Sequence, residues 1–350
     1  MAVSVVASDD PLRSALKLVT QIYLLSIPIL VCSIVRDEAT LRSIVRWWLV
    51  GTAVVAVVAI ASLLLFAAAA DHPLLNYTRY RFGTLSPGNY PRLRLTFLNA
   101  NLACNYLTVS LMMLMAARHL NWVGRMPFLV LLTGIMVAAA TTISPGLGGI
   151  GLALGLWLWL LLGAQHRVAG RLALAGGALL ALIFVAAMAV TPILHPTAPF
   201  LIRVPIFDVQ LAPSGRLMIW IDAARNFLAE PLLGRGIGSD AVTVRFLDPS
   251  GNLQRLTDAH NVFLSIAVQC GLVGLASLLA LVTHATGRTM PLGLPQSAAG
   301  VIRIAVGLGF LNGFVYHGLG GAYEDARHLW FALGLLLASA RLERDEGRAD

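Results

Sequence analysis

Charge is the scarcest property of this 350-residue chain. Asp, Glu, Lys and Arg together make up 12% of it, about half the share of an ordinary soluble protein. Lysine is almost missing: of 25 basic residues only Lys17 is lysine, the others being arginine. Cysteine is limited to Cys32, Cys104 and Cys270, widely spaced and inside apolar stretches, which excludes a disulfide framework and paired-cysteine metal spacing. The eight histidines contain no HExxH pattern, so no metal is expected to take part. The glycine-rich Pro231-Leu-Leu-Gly-Arg-Gly-Ile-Gly238 has no strand pattern before it and no Lys-Ser/Thr after it. P-loop and dinucleotide readings therefore fail, and a tight turn is expected. Asp9 and Asp10 stand where a signal peptide would carry basic residues. Soluble enzymes, secreted disulfide scaffolds and nucleic-acid-binding folds are excluded together.

What the chain has instead is apolar length. Hydrophobic residues reach 58% and the mean hydropathy is +0.79. Blocks such as Val50–Ala70 and Leu172–Val190 are each long enough to cross a bilayer. The expected fold is an all-α polytopic membrane protein, because backbone groups in lipid must be satisfied within their own segment and no barrel-like alternation is present. About nine transmembrane helices are expected, at 16–35, 43–69, 98–117, 126–143, 146–164, 172–192, 260–283, 298–316 and 326–341, in one membrane domain over 1–350.

Arginine position sets the orientation. The short connections 36–42, 118–125 and 165–171 carry Arg36, Arg42, Arg118, Arg125, Arg167 and Arg171, and the tail adds Arg341, Arg344 and Arg348. Placing these in the cytoplasm satisfies the positive-inside rule, with the N-terminus outside and the C-terminus inside. Two segments then face outward: 70–97, with Arg79, Arg81, Arg92 and Arg94 against the single acid Asp71, and the long connection 193–259. Four arginines on the side that should be poor in them point to an anionic ligand there, or to lipid headgroups and acids of the long loop. Arginine grips phosphate bidentately where lysine cannot, although an arginine-favouring genome gives the same bias. Charges elsewhere cluster at helix ends, and Arg303 is expected to snorkel to the inner face.

The long outer connection has structure of its own. Ser214 is a candidate cap for a helix running to Glu230 and stopped by Pro231. Leu217, Trp220, Ile221, Ala224, Phe227 and Leu228 share one face of it. That pattern fits a helix lying in the membrane interface or one packed into a small outer cap. His260, in Thr257-Asp-Ala-His-Asn261 at the mouth of a spanning segment, either takes a proton from a hydroxyl, with Asp258 holding its ring, or caps the helix end.

Four segments together resemble one family, the bacterial O-antigen ligase and O-antigen polymerase superfamily. Arg92-Leu-Arg-Leu-Thr-Phe-Leu-Asn-Ala-Asn101 is similar to the family's Arg…Gly-Thr-Phe-x-Asn-Pro-Asn stretch. Ser214-Gly-Arg-Leu-Met-Ile-Trp220 with Pro231–Gly238 is similar to its Gly-Arg…Trp…Pro-Leu-Leu-Gly-x-Gly signature. Ala259-His-Asn-Val-Phe-Leu264 with Gly271-Leu-Val-Gly274 resembles its His-Asn…Gly-Leu-x-Gly helix, and Arg327-His-Leu-Trp330 its Arg-x-x-Trp opening of the last helix. The resemblance covers about 80–340.

It implies transfer of glycan from an undecaprenyl-pyrophosphate carrier to a hydroxyl acceptor at the outer face of the bacterial inner membrane, with no cofactor. The acceptor is lipid A-core for ligases and growing polysaccharide for polymerases; the remaining partner is membrane lipid, with no nucleic acid. By motif, Arg216 binds the pyrophosphate and stabilises the leaving group, and His260 positions or deprotonates the acceptor. Arg92, Arg94, Asn101, Asp258 and Arg327 are implied as substrate-binding. The chain departs from the pattern at Thr142-Ile-Ser144-Pro145, where proline stands in place of the family's arginine after serine, so that either Arg92 or Arg94 substitutes or the activity is altered or lost. Leu95 and Ala100 replace the usual Gly and Pro. Relatives carry more helices ahead of the segment at 16–35, which leaves open an incomplete chain or a misplaced start. The contrasting class is a solute carrier of the same superfamily, but a transporter should show charged or broken helices at mid-membrane.

The orientation has a direct test. A membrane-impermeant thiol reagent applied from the periplasm should label Ser250→Cys and leave Leu120→Cys unlabelled; the opposite pattern reverses the topology.

Overall fold

The computed structural model describes residues 8, 10–80, 91–144, 146–161, 202–204, 209–211, 216–247, 253–255, 257–289, 297–319, 321 and 326–346, with scattered positions between 168 and 182. Arg81, Pro145, Arg167, Ser214, Arg348, most of the segment expected at 172–192 and part of the 193–259 connection lie outside these residues.

Ten helices are described. They are α1 (Pro11–Ile34), α2 (Glu38–Ala67), α3 (Pro73–Thr78), α4 (Ala100–His119), α5 (Arg125–Thr142), α6 (Gly146–Leu161), α7 (Arg216–Ala229), α8 (Val262–Thr289), α9 (Ala298–Gly318) and α10 (Arg327–Glu346). The all-helical expectation holds. The only strands among the described residues are three residues long and form two antiparallel hairpins, β1 (Ile202–Val204) with β2 (Val209–Leu211) and β3 (Arg245–Leu247) with β4 (Leu253–Arg255). Six described helices are long and apolar enough to cross a membrane: α1, α2, α4, α5, α8 and α9. Helix α6, expected as a span, is shorter. The segment expected at 326–341 is α10, whose charged last turns, with Glu343, Arg344, Asp345 and Glu346, extend it beyond the apolar part.

Local chemistry sets the helix starts. Asp10, Asp37 and Asn99 each accept the backbone amide three residues on, satisfying a donor that the first turn leaves open. The Thr40 amide, and then its side chain, hold the Asp37 carboxyl below its ordinary value. A lowered carboxyl stabilises α2 above the ordinary carboxylate range, and that help is lost as pH falls through the lowered value.

The centre of the bundle is α4 and α9, whose apolar windows are 83% and 78% buried against 17% for α1. Lipid is as apolar as leucine, so close backbone approach and hydrogen bonds, rather than hydrophobicity, bring such helices together. Gly309 and Gly313 are four residues apart on α9 and meet α4 at Val109 and Asn105. Asn105 Nδ2 donates to the Gly313 carbonyl at 3.3 Å. Helix α10 packs on both α9 and α1, and Arg303 of α9 pairs with Glu343 of α10 at 2.7 Å while its side chain is only 7% exposed. The expectation that Arg303 snorkels is therefore corrected: a carboxylate on the next helix neutralises it in place.

The α1–α10 crossing is a close approach at the periphery. A Cβ on Gly334 would lie 2.7 Å from Val31 Cβ and 2.8 Å from Pro28 Cα, and backbone cannot give way as a side-chain tip can. Gly334→Leu should lower stability by about 1–3 kcal/mol, the usual cost of overpacking. It is read as a lower unfolding midpoint in detergent, with Gly287→Leu, where no atom lies within 4 Å, as the control. An unchanged midpoint would remove this crossing from the determinants of the fold.

Candidate functional site

His260 sits in a short loop leading into α8. Asn261 caps that helix, its Oδ1 accepting from the Leu264 amide at 3.2 Å. His260 itself takes a left-handed backbone, φ +47°, a conformation that costs a side-chain-bearing residue about 1–2 kcal/mol. Such strain persists where the surroundings over-determine it, and here they do. Asp258 Oδ1 accepts both the His260 amide at 3.1 Å and the Ser265 hydroxyl at 3.1 Å. The sequence offers Asp258 as one way of holding the ring. Its other oxygen is 3.8 Å from His260 Nδ1, within reach of a charge pair but beyond a hydrogen bond, so Asp258 shapes the loop more than it holds the imidazole. The ring remains 45% exposed, open to a substrate.

Helix α7 is clamped to this loop. Trp220 Nε1 donates to the Ala259 carbonyl at 3.1 Å, and Arg216, the first residue of α7, lies one turn earlier on the same face. The Arg216 side chain is outside the described residues. Ile219 and Ala223 are buried with Val242, Ala259 and Val268 in a small separate core, while Trp220 and Phe227 pack against it. Of the apolar face expected for an interfacial helix, Ile221 and Leu228 are exposed, as are Leu232 and Leu233 of the following turn. The helix thus divides its apolar surface between a packed cap and an outward patch.

The glycine-rich turn has a definite partner. Helix α8 is broken at Gly271, φ +64° and ψ −166°, which frees backbone groups on both sides of the break. The 231–236 turn binds them: the Leu272 amide donates to the Pro231 carbonyl at 2.8 Å, Arg235 to Val268 at 2.9 Å and Gly236 to Gln269 at 3.1 Å. A Cβ on Gly271 would lie 2.1 Å from the Leu232 carbonyl oxygen. Two of the motifs read from the sequence, Pro231–Gly238 and Gly271–Gly274, are the two halves of one joint.

A second cluster forms where α5 ends and α4 begins. The Leu93 amide donates to Thr141 at 2.9 Å and the Arg94 amide to Thr78 at 2.7 Å. Arg92 is 5% exposed with its guanidinium 5.2 Å from the Tyr80 ring centre. Arg94 lies 5.0 Å from the Tyr77 ring and its Nε donates to the Tyr77 carbonyl at 2.8 Å. Aromatic faces hold both cations in position. Leu95 is left-handed, φ +56°, which gives a backbone reason for the glycine that the resembled family has here. Asn101 Oδ1 accepts from Ser144 Oγ at 3.0 Å, and Ser144 Oγ lies 2.7 Å from the Tyr316 hydroxyl. Arg327 opens α10 and is exposed. Its neighbour His328 packs edge-on against Phe97, 6.3 Å away, joining the last motif to the first.

Sequence reasoning missed the contribution of α1. A cavity of about 380 Å³ adjoins the His260 loop, lined by Arg13, Lys17 and Gln21 of α1 and by Asp258, Ser265 and Gln269. Asp240 binds Arg13 at 2.8 Å and Arg255 at 2.8 Å, and the Ser14 hydroxyl donates to the Ile237 carbonyl. The solitary lysine was the available signal; its neighbourhood, more than two hundred residues away in sequence, was not. Ser144 and Tyr316 were missed as a pair because each ends a different apolar segment. Among the described residues no group of three or more His, Cys, Asp or Glu is gathered as for a metal ion.

Residues 127–279 match the family model described as O-antigen ligase. The match runs from α5 through the α7–α8 joint and includes Arg216 and His260, and it supports the O-antigen ligase and polymerase resemblance read from the motifs. No curated protein and no solved structure matches the chain.

The joint at Gly271 is open to test. Gly271→Ala should lower the unfolding midpoint and expose a cysteine placed at the buried Ile237 to thiol reagents, since neither the backbone angle nor the Leu232 carbonyl tolerates a methyl group. Gly287→Ala should do neither. Wild-type behaviour of Gly271→Ala would mean that the turn and the helix break are independent.

Proposed function

We propose that this chain transfers a glycan from an undecaprenyl-pyrophosphate-linked donor to a hydroxyl acceptor at the outer face of the cytoplasmic membrane. The family match over residues 127–279 supports ligase- or polymerase-type activity in general. The observation that carries the finer reading is the His260 loop, strained, part-exposed, clamped to the helix that begins with Arg216, and bordered by a polar cavity.

In the proposed reaction the acceptor hydroxyl gives its proton to His260 as its oxygen attacks the anomeric carbon of the donor sugar. The bond from that carbon to the pyrophosphate oxygen breaks, and its electron pair leaves with the carrier pyrophosphate. Arg216 meets the charge that develops there, and guanidinium suits it because it offers two parallel donors to phosphate oxygens. Arg92 and Arg94 hold the carrier phosphates or the donor glycan. Their hydrogen-bonded link to the end of α5 through Leu93 and Thr141 supports their standing in for the arginine that Pro145 replaces. Asn101, Ser144 and Tyr316 supply hydroxyl and amide groups at the same end, and Asp258 fixes the His260 loop. Arg327 adds a cation at the start of α10. The acceptor is lipid A-core or a growing polysaccharide.

The orientation belongs to the same proposal. The start of α1 docks on the 236–240 turn beside His260, whereas Arg341 near the C-terminus hydrogen-bonds the Val35 carbonyl at the far end of α1. With the His260 end outside, the N-terminus is outside and the C-terminus cytoplasmic. The 193–259 connection is then extracytoplasmic, and the exposed Ile221, Leu228 and Leu232 rest in the membrane interface.

The test is complementation of a deletion strain, read as its surface polysaccharide. His260→Ala and Arg216→Ala should abolish transfer at equal membrane insertion. Arg216→Lys should recover little, because a point charge lacks the fork geometry. Near-normal polysaccharide from either alanine variant would overturn the assignment. Core alone or a single repeat in the deletion strain distinguishes ligase from polymerase.

A further inference from the structure

Another cavity lies at the opposite end of the bundle from His260. It is a groove of about 910 Å³ between α2 and α5. Arg42 and Arg46 stand at its mouth, one turn apart on α2, with Ser43 beside them. Arg42 lies 5.7 Å from the Trp122 ring centre, and no acidic residue is among the lining. Gly124 opens α5 without a side-chain cap, so that helix's first amides add to the positive field there. Beyond the arginines the groove is apolar. Its floor is kept low by Ala53, Ala56 and Gly134, and Val50, Val57, Ile60 and Val130 are exposed along it.

We infer that this groove binds one anionic glycerophospholipid, its phosphate between Arg42 and Arg46 and an acyl chain in the trough between α2 and α5. Charge complementarity selects an anion, because two guanidinium groups and a helix start face the mouth with no carboxylate among the lining to offset them. The apolar length selects a lipid over a free anion. From Arg42 to Ile60 the trough runs about 27 Å at 1.5 Å per residue, whereas one leaflet supplies chain for about 15 Å, half the hydrocarbon thickness. A single acyl chain therefore ends near Ala53. The exposed residues along the groove leave it open to the bilayer, so its occupant is drawn from bulk lipid. With the orientation proposed above, that is the cytoplasmic leaflet, where anionic lipid concentrates near arginine-rich helix ends.

Native mass spectrometry of the whole chain, released from bilayers of equal parts phosphatidylglycerol and phosphatidylcholine, reads this directly. The wild-type chain should retain phosphatidylglycerol in preference to phosphatidylcholine by on the order of ten-fold, and excess inorganic phosphate should not displace it. Arg42→Gln with Arg46→Gln should abolish the preference. Ala53→Phe, which plugs the trough and leaves the arginines, should lower total lipid retention. His260→Ala should leave all of this unchanged, so that failure of the lipid site and failure of the proposed transfer are separable. Equal retention of the two lipids by the wild-type chain, or a preference that survives the double change, overturns the inference. So does displacement by phosphate, or a groove closed by a second copy, seen as disulfide-linked dimers of Val57→Cys.

Discussion

Everything around the candidate site hangs on one break in one helix. At Gly271 the backbone of α8 leaves helical geometry, and the amide and carbonyl groups it frees are taken up by the 231–236 turn. An unpaired backbone group away from water costs several kcal/mol, so the break and the turn require each other. Because the turn follows α7 directly, the joint fixes where α7 ends. The Trp220–Ala259 hydrogen bond fixes where its middle lies. The His260 loop is then held from both sides, which is why a histidine can keep a left-handed backbone there.

The bundle that carries this joint is assembled by small residues rather than by apolar surface. Helices α4 and α9 meet at Gly309 and Gly313, and α1 meets α10 at Gly334. At these contacts an added methyl would crowd the neighbour, most firmly at Gly334, where it would meet the Pro28 backbone at 2.8 Å. The same economy frames the second cluster: Gly146 lies against Tyr316 and Cys104, which lets the Tyr316 hydroxyl reach Ser144.

Charge is distributed with the same restraint. Several described cations at the His260 end are engaged by aromatic faces, as with Arg92 and Arg94, or by acids, as Asp240 engages Arg13 and Arg255. At the other end Arg303 is matched by Glu343, while Arg42 and Arg46 face a groove whose lining contains no acid. One end thus gathers the polar groups of the proposed transfer site, and the other holds the groove proposed for anionic lipid.

Composition and periodicity determined the class of this protein. Lipid demands backbone satisfaction within each segment, so long apolar blocks can only be helices, and their arginine-rich ends carry the proposed orientation. The tight turn expected at Pro231–Gly238 is present, and the caps at Asp10, Asp37 and Asn99 follow from local chemistry. Arg92, Arg216 and His260 were candidates because their short motifs resemble those of the O-antigen ligase and polymerase superfamily. What only the tertiary structure decided is who meets whom: Lys17 and Arg13 beside Asp258, Tyr316 on Ser144, the Pro231 turn in the Gly271 break, and Arg303 on Glu343 instead of at the lipid surface. These pairings join residues tens to hundreds of positions apart. Neither period nor propensity carries that distance; it is set by which helices can approach closely enough for their backbones and polar side chains to find one another.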